Sequence, residues 1–177
     1  MSEILNLEPK TLWHSFHKIL QIPRPSDHEE RIREFLIHFA NQNGLIHKVD
    51  RAGNLMISKP AIPGYENRPS VCLQSHLDMV CEKNSDVNFN FLTDPIQPWI
   101  DGEWVKARGT TLGADDGIGI AAQMAILQTD TILHGPLECL FTVAEETGLT
   151  GAFGLEAGFL DSKILLNLDS EDEGELF

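Results

Sequence analysis

The sequence predicts an α/β fold around a mixed sheet that is largely parallel through its centre. Two observations carry this. Three short apolar runs, VCLQSH at 71–76, LECLFTV at 137–143 and KILLNLD at 163–169, read as buried strands. Helical segments lie between and before them, and strands alternating with helices specify parallel crossover units.

The elements follow in order. Residues 9–20 set Leu12, Phe16, Ile19 and Leu20 at helical spacing, and Pro23 and Pro25 stop the segment. Ser26-Asp27-His28-Glu29 fits a capping box, so a second helix is expected to open at Ser26, stop at Gly44, and bury Ile32, Phe35, Leu36 and Phe39. Residues 45–49 and 54–58 flank the turn formers Asp50-Arg51-Ala52-Gly53 and read as a hairpin. A Pro- and Gly-containing connection runs from Pro60 to Pro69, and Trp99 to Lys106 form a small hairpin around Asp101-Gly102. The small-residue segment 117–128 is expected to be a helix packed closely on the sheet, and 149–157 a short helix.

The chain has 177 residues, 42% of them hydrophobic, with 13 Lys plus Arg against 27 Asp plus Glu, a formal charge of −14. That composition suits one soluble globular domain. Nucleic acid is excluded as a partner, because counterion release from phosphates needs clustered Lys and Arg. No run approaches the roughly 18 apolar residues of a membrane span, and the start MSEILNLEPKTLWHSF lacks the features of a signal peptide, so a cytosolic address is expected. Cys72, Cys81 and Cys139 are odd in number and lack CxxC spacing, which identifies them as reduced core thiols.

The three apolar runs each lead into ionisable residues: His76 and Asp78, then Glu145 and Glu146, then Asp169. In open α/β sheets ligands bind outside the carboxyl ends of the strands. Carboxylates converging there repel unless a cation lies between them, so a metal ion is the economical reading. His76 and Asp78 are two apart, an imidazole with a carboxylate beside it. Asp115 and Asp116 follow a Gly-containing loop and precede a helix. A dinucleotide fingerprint over 117–122 is rejected, since no strand leads into it and two carboxylates occupy the pyrophosphate's approach. On an extended chain Glu145 and Glu146 point to opposite sides, so one could bind metal while the other serves as a base. A calcium loop at 169–174 is rejected because the chain ends before its twelfth position, and 171–175 reads as a solvated acidic loop.

SHLDMVCEK, TTLGADDGIGIA, EETGLTGA and NLDSEDEGE, in this order and over essentially the whole chain, closely resemble the dizinc exopeptidase family. They are more similar to its aminoacyl-histidine (cytosol non-specific) dipeptidase branch than to the related carboxypeptidases and aminoacylases. The resemblance implies a three-layer zinc-exopeptidase-like catalytic domain and zinc-dependent hydrolysis of dipeptides, Xaa-His and broader. It implies that His76 and Asp169 bind a first zinc and Glu146 a second, with Asp115 bridging both beside a cis bond to Asp116. Asp78 would orient His76, and Glu145 would be the general base acting on a metal-bridged water. A His and carboxylate set also suits cobalt or manganese.

The same family pattern calls for a downstream His that completes the second zinc and for an inserted lid domain. After Asp169 the sequence contains no His, His134 stands at the beginning of a strand, and His14, His17, His28 and His38 belong to the leading helices. Residues 1–177 are therefore expected to be the N-terminal portion of the catalytic domain, incomplete at its C-terminal side and weakly active or inactive alone. The expected partners are a dipeptide substrate, no nucleic acid or membrane, and either a complementary fragment or, in the full-length parent, a second copy. Two alternatives stay open: a non-catalytic metal-binding or assembly fragment, and an amidase or deacylase of N-acyl amino acids.

Overall fold

A computed structural model describes residues 2–170. A 3-10 turn at Glu3–Asn6 leads into helices α1 (Lys10–Leu20) and α2 (Glu30–Gln42), and strands β1 (Ile46–Val49) and β2 (Leu55–Lys59) follow. Strand β3 (Val71–His76) precedes the small hairpin β4 (Pro98–Asp101) and β5 (Trp104–Ala107). Helix α3 (Ala114–Gln128), strand β6 (Leu137–Thr142), helix α4 (Thr150–Phe153) and strand β7 (Ile164–Asn167) complete the order. The acidic stretch 171–175 lies outside the described residues.

The main sheet is mixed, in the order β1-β2-β6-β3-β7. β6, β3 and β7 are parallel, with Leu73 opposite Cys139 and Leu166, whereas β1-β2 and β2-β6 pair antiparallel. Parallel pairing brings the carboxyl ends of β3, β6 and β7 to one edge. The β1–β2 turn reaches the same edge, because Leu55 at the start of β2 pairs with Phe141 near the end of β6. The connections 60–70 and 129–136 run along the opposite edge, where the Ile62 amide donates to the His134 carbonyl at 3.3 Å.

One face of the sheet is thickly covered. Phe16, Ile19 and Leu20 of α1, Ile32, Leu36 and Phe39 of α2, and Ile120, Met124 and Leu127 of α3 pack in one cluster with Ile57, Leu73, Cys139 and Phe141. Gln123, fully buried in α3, donates to the carbonyls of Leu73 and Leu140 and so ties the helix to β3 and β6. On the other face a smaller cluster joins Met56, Cys72, Leu140 and Phe159, with Leu155 and Leu160 against it.

Three expectations need correction. The capping box at Ser26 does not form. Asp27 takes a left-handed backbone (φ 64), the Ser26 and Glu29 side chains are drawn into long-range hydrogen bonds, and α2 begins at Glu30. Helix α3 agrees with the sequence: although the element opens at Ala114, its backbone is non-helical at Asp115 and Asp116, whose peptide bond is cis, so the regular helix covers the expected 117–128. Helix α4 is a single turn rather than 149–157, because the chain leaves the helix to lay Leu155 and Phe159 on the second face. Strand β7 is not buried: Ile164, Leu165 and Leu166 are 44%, 47% and 37% exposed. It pairs with β3 on one side and ends the sheet among the described residues.

Cys72 and Cys139 are buried, and Cys72, Cys81 and Cys139 are all free of disulfides. Burial pushes the Cys72 thiol up to about 12 and raises that of Cys139 as well, which leaves them as packing groups rather than nucleophiles or ligands. Cys139→Ser is expected to place a hydroxyl in the apolar cluster at a cost of about 1–3 kcal/mol. A lower melting temperature with unchanged metal content is the expected outcome, and loss of metal would identify Cys139 as a ligand.

Candidate metal centre

His76 ends β3 and is fully buried. Its Nδ1 lies 3.2 Å from Asp78 Oδ1, its Nε2 lies 2.7 Å from Asp115 Oδ1, and Asp169 Oδ2 stands 3.8 Å from the same Nε2. Burial alone would lower the His76 pKa, but hydrogen bonds to Asp78 and Asp115 raise it to about 9.

Asp78 is completely buried and fully engaged. Besides His76, Oδ1 accepts from the Glu145 amide at 3.0 Å, and Oδ2 accepts from the Ser26 hydroxyl at 2.7 Å and the Glu146 amide at 3.2 Å. Burial opposes its ionisation, yet the hydrogen bonds of His76, Ser26 and the Glu145 amide hold its carboxyl down at about 2. A carboxylate with every lone-pair direction occupied orients the imidazole and leaves no oxygen for a metal.

Glu145 and Glu146 sit beyond the end of β6, after Ala144 turns the backbone with φ 48. Strand alternation therefore does not separate them, since both amides point at Asp78. Their side chains nevertheless enter different groups. Ligand atoms of His76, Asp115 and Glu146 lie within 4.8 Å of one another, and so do those of His76, Glu145 and Asp169. The residue common to both groups is His76, where the family resemblance implies Asp115.

The carboxylates of the centre crowd one another. Burial, followed by the Asp115 charge, raises the carboxyl groups of Glu146 and Asp169. Burial and then the Asp169 and Asp115 charges outweigh His76 and lift Asp116 to about 7. Glu146 Oε1 and Asp116 Oδ2 are buried without a hydrogen-bond partner among the described residues. One imidazole and several carboxylates form a donor set for a borderline or hard divalent ion, and this set fits such an ion.

Four further residues support the centre, and the sequence assigns none of them to it, since Ser26 and Glu29 read there only as a capping box. Arg24, buried, donates to the carbonyls of Leu77, Asp78 and Gly113. Ser26 holds Asp78, and buried Glu29 accepts from the Ala144 amide at 2.9 Å. Asn54, in the β1–β2 turn, accepts from the Val143 amide and donates to the Gly151 carbonyl, bracing the loop that carries both glutamates. The Pro-flanked Arg24 was the visible signal, and nothing local indicated its partners.

A mixed α/β sheet whose parallel carboxyl ends gather one His and several carboxylates defines an α/β domain with a candidate divalent-metal site. Residues 72–171 match Peptidase family M20/M25/M40, more than half of the chain, and the chain belongs to that family. It is 54% identical over its full length to the cytosol non-specific dipeptidase of Escherichia coli (strain K12), of which it spans 36%. The structure superposes on aminoacylhistidine dipeptidase from Vibrio alginolyticus with a TM-score of 0.95 and 55% identity, over 98% of this chain and 35% of that one. A tripeptidase from Staphylococcus aureus gives a TM-score of 0.76 at 27% identity, over 91% of this chain and 43% of that one. The chain thus spans little more than a third of its dipeptidase relatives. Among the described residues, no helix is long and apolar enough to cross a membrane.

Proposed function

We propose that the chain carries the N-terminal portion of a metal-dependent dipeptidase catalytic domain that hydrolyses dipeptides, Xaa-His among others, in the cytosol. The observation behind this reading is the convergence of His76, Asp115, Glu145, Glu146 and Asp169 in front of buried Asp78, in a chain 54% identical to a cytosol non-specific dipeptidase. Zinc is the proposed ion, with cobalt and manganese as substitutes.

His76, Asp115, Glu146 and Asp169 would hold the metal. When bound, a divalent cation supplies Lewis acidity toward the scissile carbonyl and lowers the pKa of water. Asp78 fixes the His76 ring through Nδ1 and leaves Nε2 facing the carboxylates. Glu145, whose backbone is pinned by Asp78, would take the proton of the attacking water and deliver it to the leaving amine.

Zinc stoichiometry of the monodisperse chain, measured by elemental analysis beside dipeptide hydrolysis, tests this reading. One zinc or fewer per chain, with little or no turnover, is expected of a portion lacking the second site's His. Two zincs, with chelator-sensitive hydrolysis that Glu145→Gln removes, would overturn the fragment reading and show a centre complete in this chain. The same variant separates base from ligand, since a base is replaced without loss of metal and a ligand is not.

A further inference from the structure

The guanidinium of Arg24 ends on three main-chain carbonyls: Nη1 donates to Leu77 at 2.9 Å and Asp78 at 2.5 Å, and Nη2 to Gly113 at 2.5 Å. Leu77 and Asp78 directly follow His76, and Gly113 stands two residues before Asp115. One rigid planar fork thus links the backbone beside one candidate ligand to the backbone beside another. Burial lowers the Arg24 pKa to about 10, with Asp116 and Asp78 opposing the shift, so the group stays charged at neutral pH.

The seat of this side chain is shaped for it. A Cβ at Gly113 would come within 2.7 Å of Nη2, and one at Gly117 within 2.6 Å, so both glycines leave room for the guanidinium. Gly113 also has φ 68, a conformation that other residues adopt only under strain. The same short segment reaches the third ligand-bearing loop, because Ser26 binds Asp78 and Glu29 binds the Ala144 amide just before Glu145. A buried cation is costly unless each of its directions is satisfied, and here the satisfying groups are the flanks of the metal centre.

We propose that Arg24 is a positioning residue that locks the loop after β3 to the loop before α3 and presets the spacing of His76 and Asp115 for a divalent cation. This rests on the metal-centre reading. Lys at the same place keeps the charge but reaches fewer carbonyls in a fixed plane.

The test compares wild type, Arg24→Lys and Gly117→Ala by two measurements: amide hydrogen exchange without metal, and titration with Co2+ alone, read by its visible absorption. In Arg24→Lys, the Glu145 and Glu146 amides, both held by Asp78, should exchange about tenfold faster while the β3 and β6 ladder amides keep their protection. Co2+ should bind about tenfold more weakly, with an altered spectrum. Unchanged exchange and unchanged Co2+ binding would overturn the proposal, and so would acceleration spread evenly over the sheet, which marks a role in stability only. Should Arg24→Lys not fold, Gly117→Ala decides on the same criteria, since it keeps Arg24 and displaces its guanidinium. A wild-type chain that takes up no Co2+ would remove the metal reading, and the exchange comparison would then decide for Arg24 by itself.

Discussion

Replacing Asp115 with alanine is expected to strip the centre of tightly held metal while leaving the fold intact. The Asp115 side chain is 70% exposed, so its removal opens no cavity, and in this centre it meets His76 Nε2 and the Asp169 carboxyl. If Asp115 is shared by two ions, its loss should weaken all tight binding by about 3 kcal/mol, roughly a hundredfold, one ligand's share of a typical zinc-site affinity. Glu146→Ala should then weaken one site only. The observed grouping around His76 makes the comparison sharper, because a centre pivoted on His76 would keep an ion on Glu145 and Asp169 after Asp115 is removed. Equal losses in the Asp115 and Glu146 variants would sink the bridging role.

Asp78→Ala should produce the largest loss of stability. It leaves His76 Nδ1, the Ser26 hydroxyl and the Glu145 and Glu146 amides without their acceptor, around a fully buried position. Breaking a buried charged network of this kind costs about 3–5 kcal/mol. In a domain of this size that corresponds to a fall in melting temperature of about 10 °C. The pH dependence has a definite sign. The Asp78 carboxyl is held down at about 2 in the folded chain against an ordinary 3.8, so its contribution is present above the ordinary value and fades as pH falls toward 2. Denaturant unfolding of wild type should weaken across that window, and the variant should weaken less. Matching slopes would show that Asp78 does not drive the acid sensitivity.

The strands at the heart of the sheet were legible because their signals are local. Val71–His76 is a short apolar run punctuated by polar residues, and the ionisable residues just beyond β3, β6 and β7 meet at one edge because parallel pairing requires it. What escaped the sequence is long-range. Ser26 and Glu29 form a plausible capping box by spacing, but Asp78 and Ala144, 52 and 115 residues away, compete for the same side chains and win. Arg24 reaches Gly113 across 89 residues, a pairing no local pattern encodes. The β7 run has the apolar composition of a strand buried on both faces, and composition alone does not say which neighbours cover it.

The sheet's two edges divide the chain's tolerance to change. Every group discussed as a ligand, base or brace lies at the carboxyl edge, where a shift of one residue would break several hydrogen bonds at once. The connections 60–70 and 129–136 run along the other edge, where the Ile62 amide is bonded to the His134 carbonyl. Doubling the length of a flexible loop costs only about 0.6 kcal/mol in closure entropy. That far edge is therefore the natural place for an affinity tag, a fluorophore or a surface tether, which would sit a full strand's length from the chemistry.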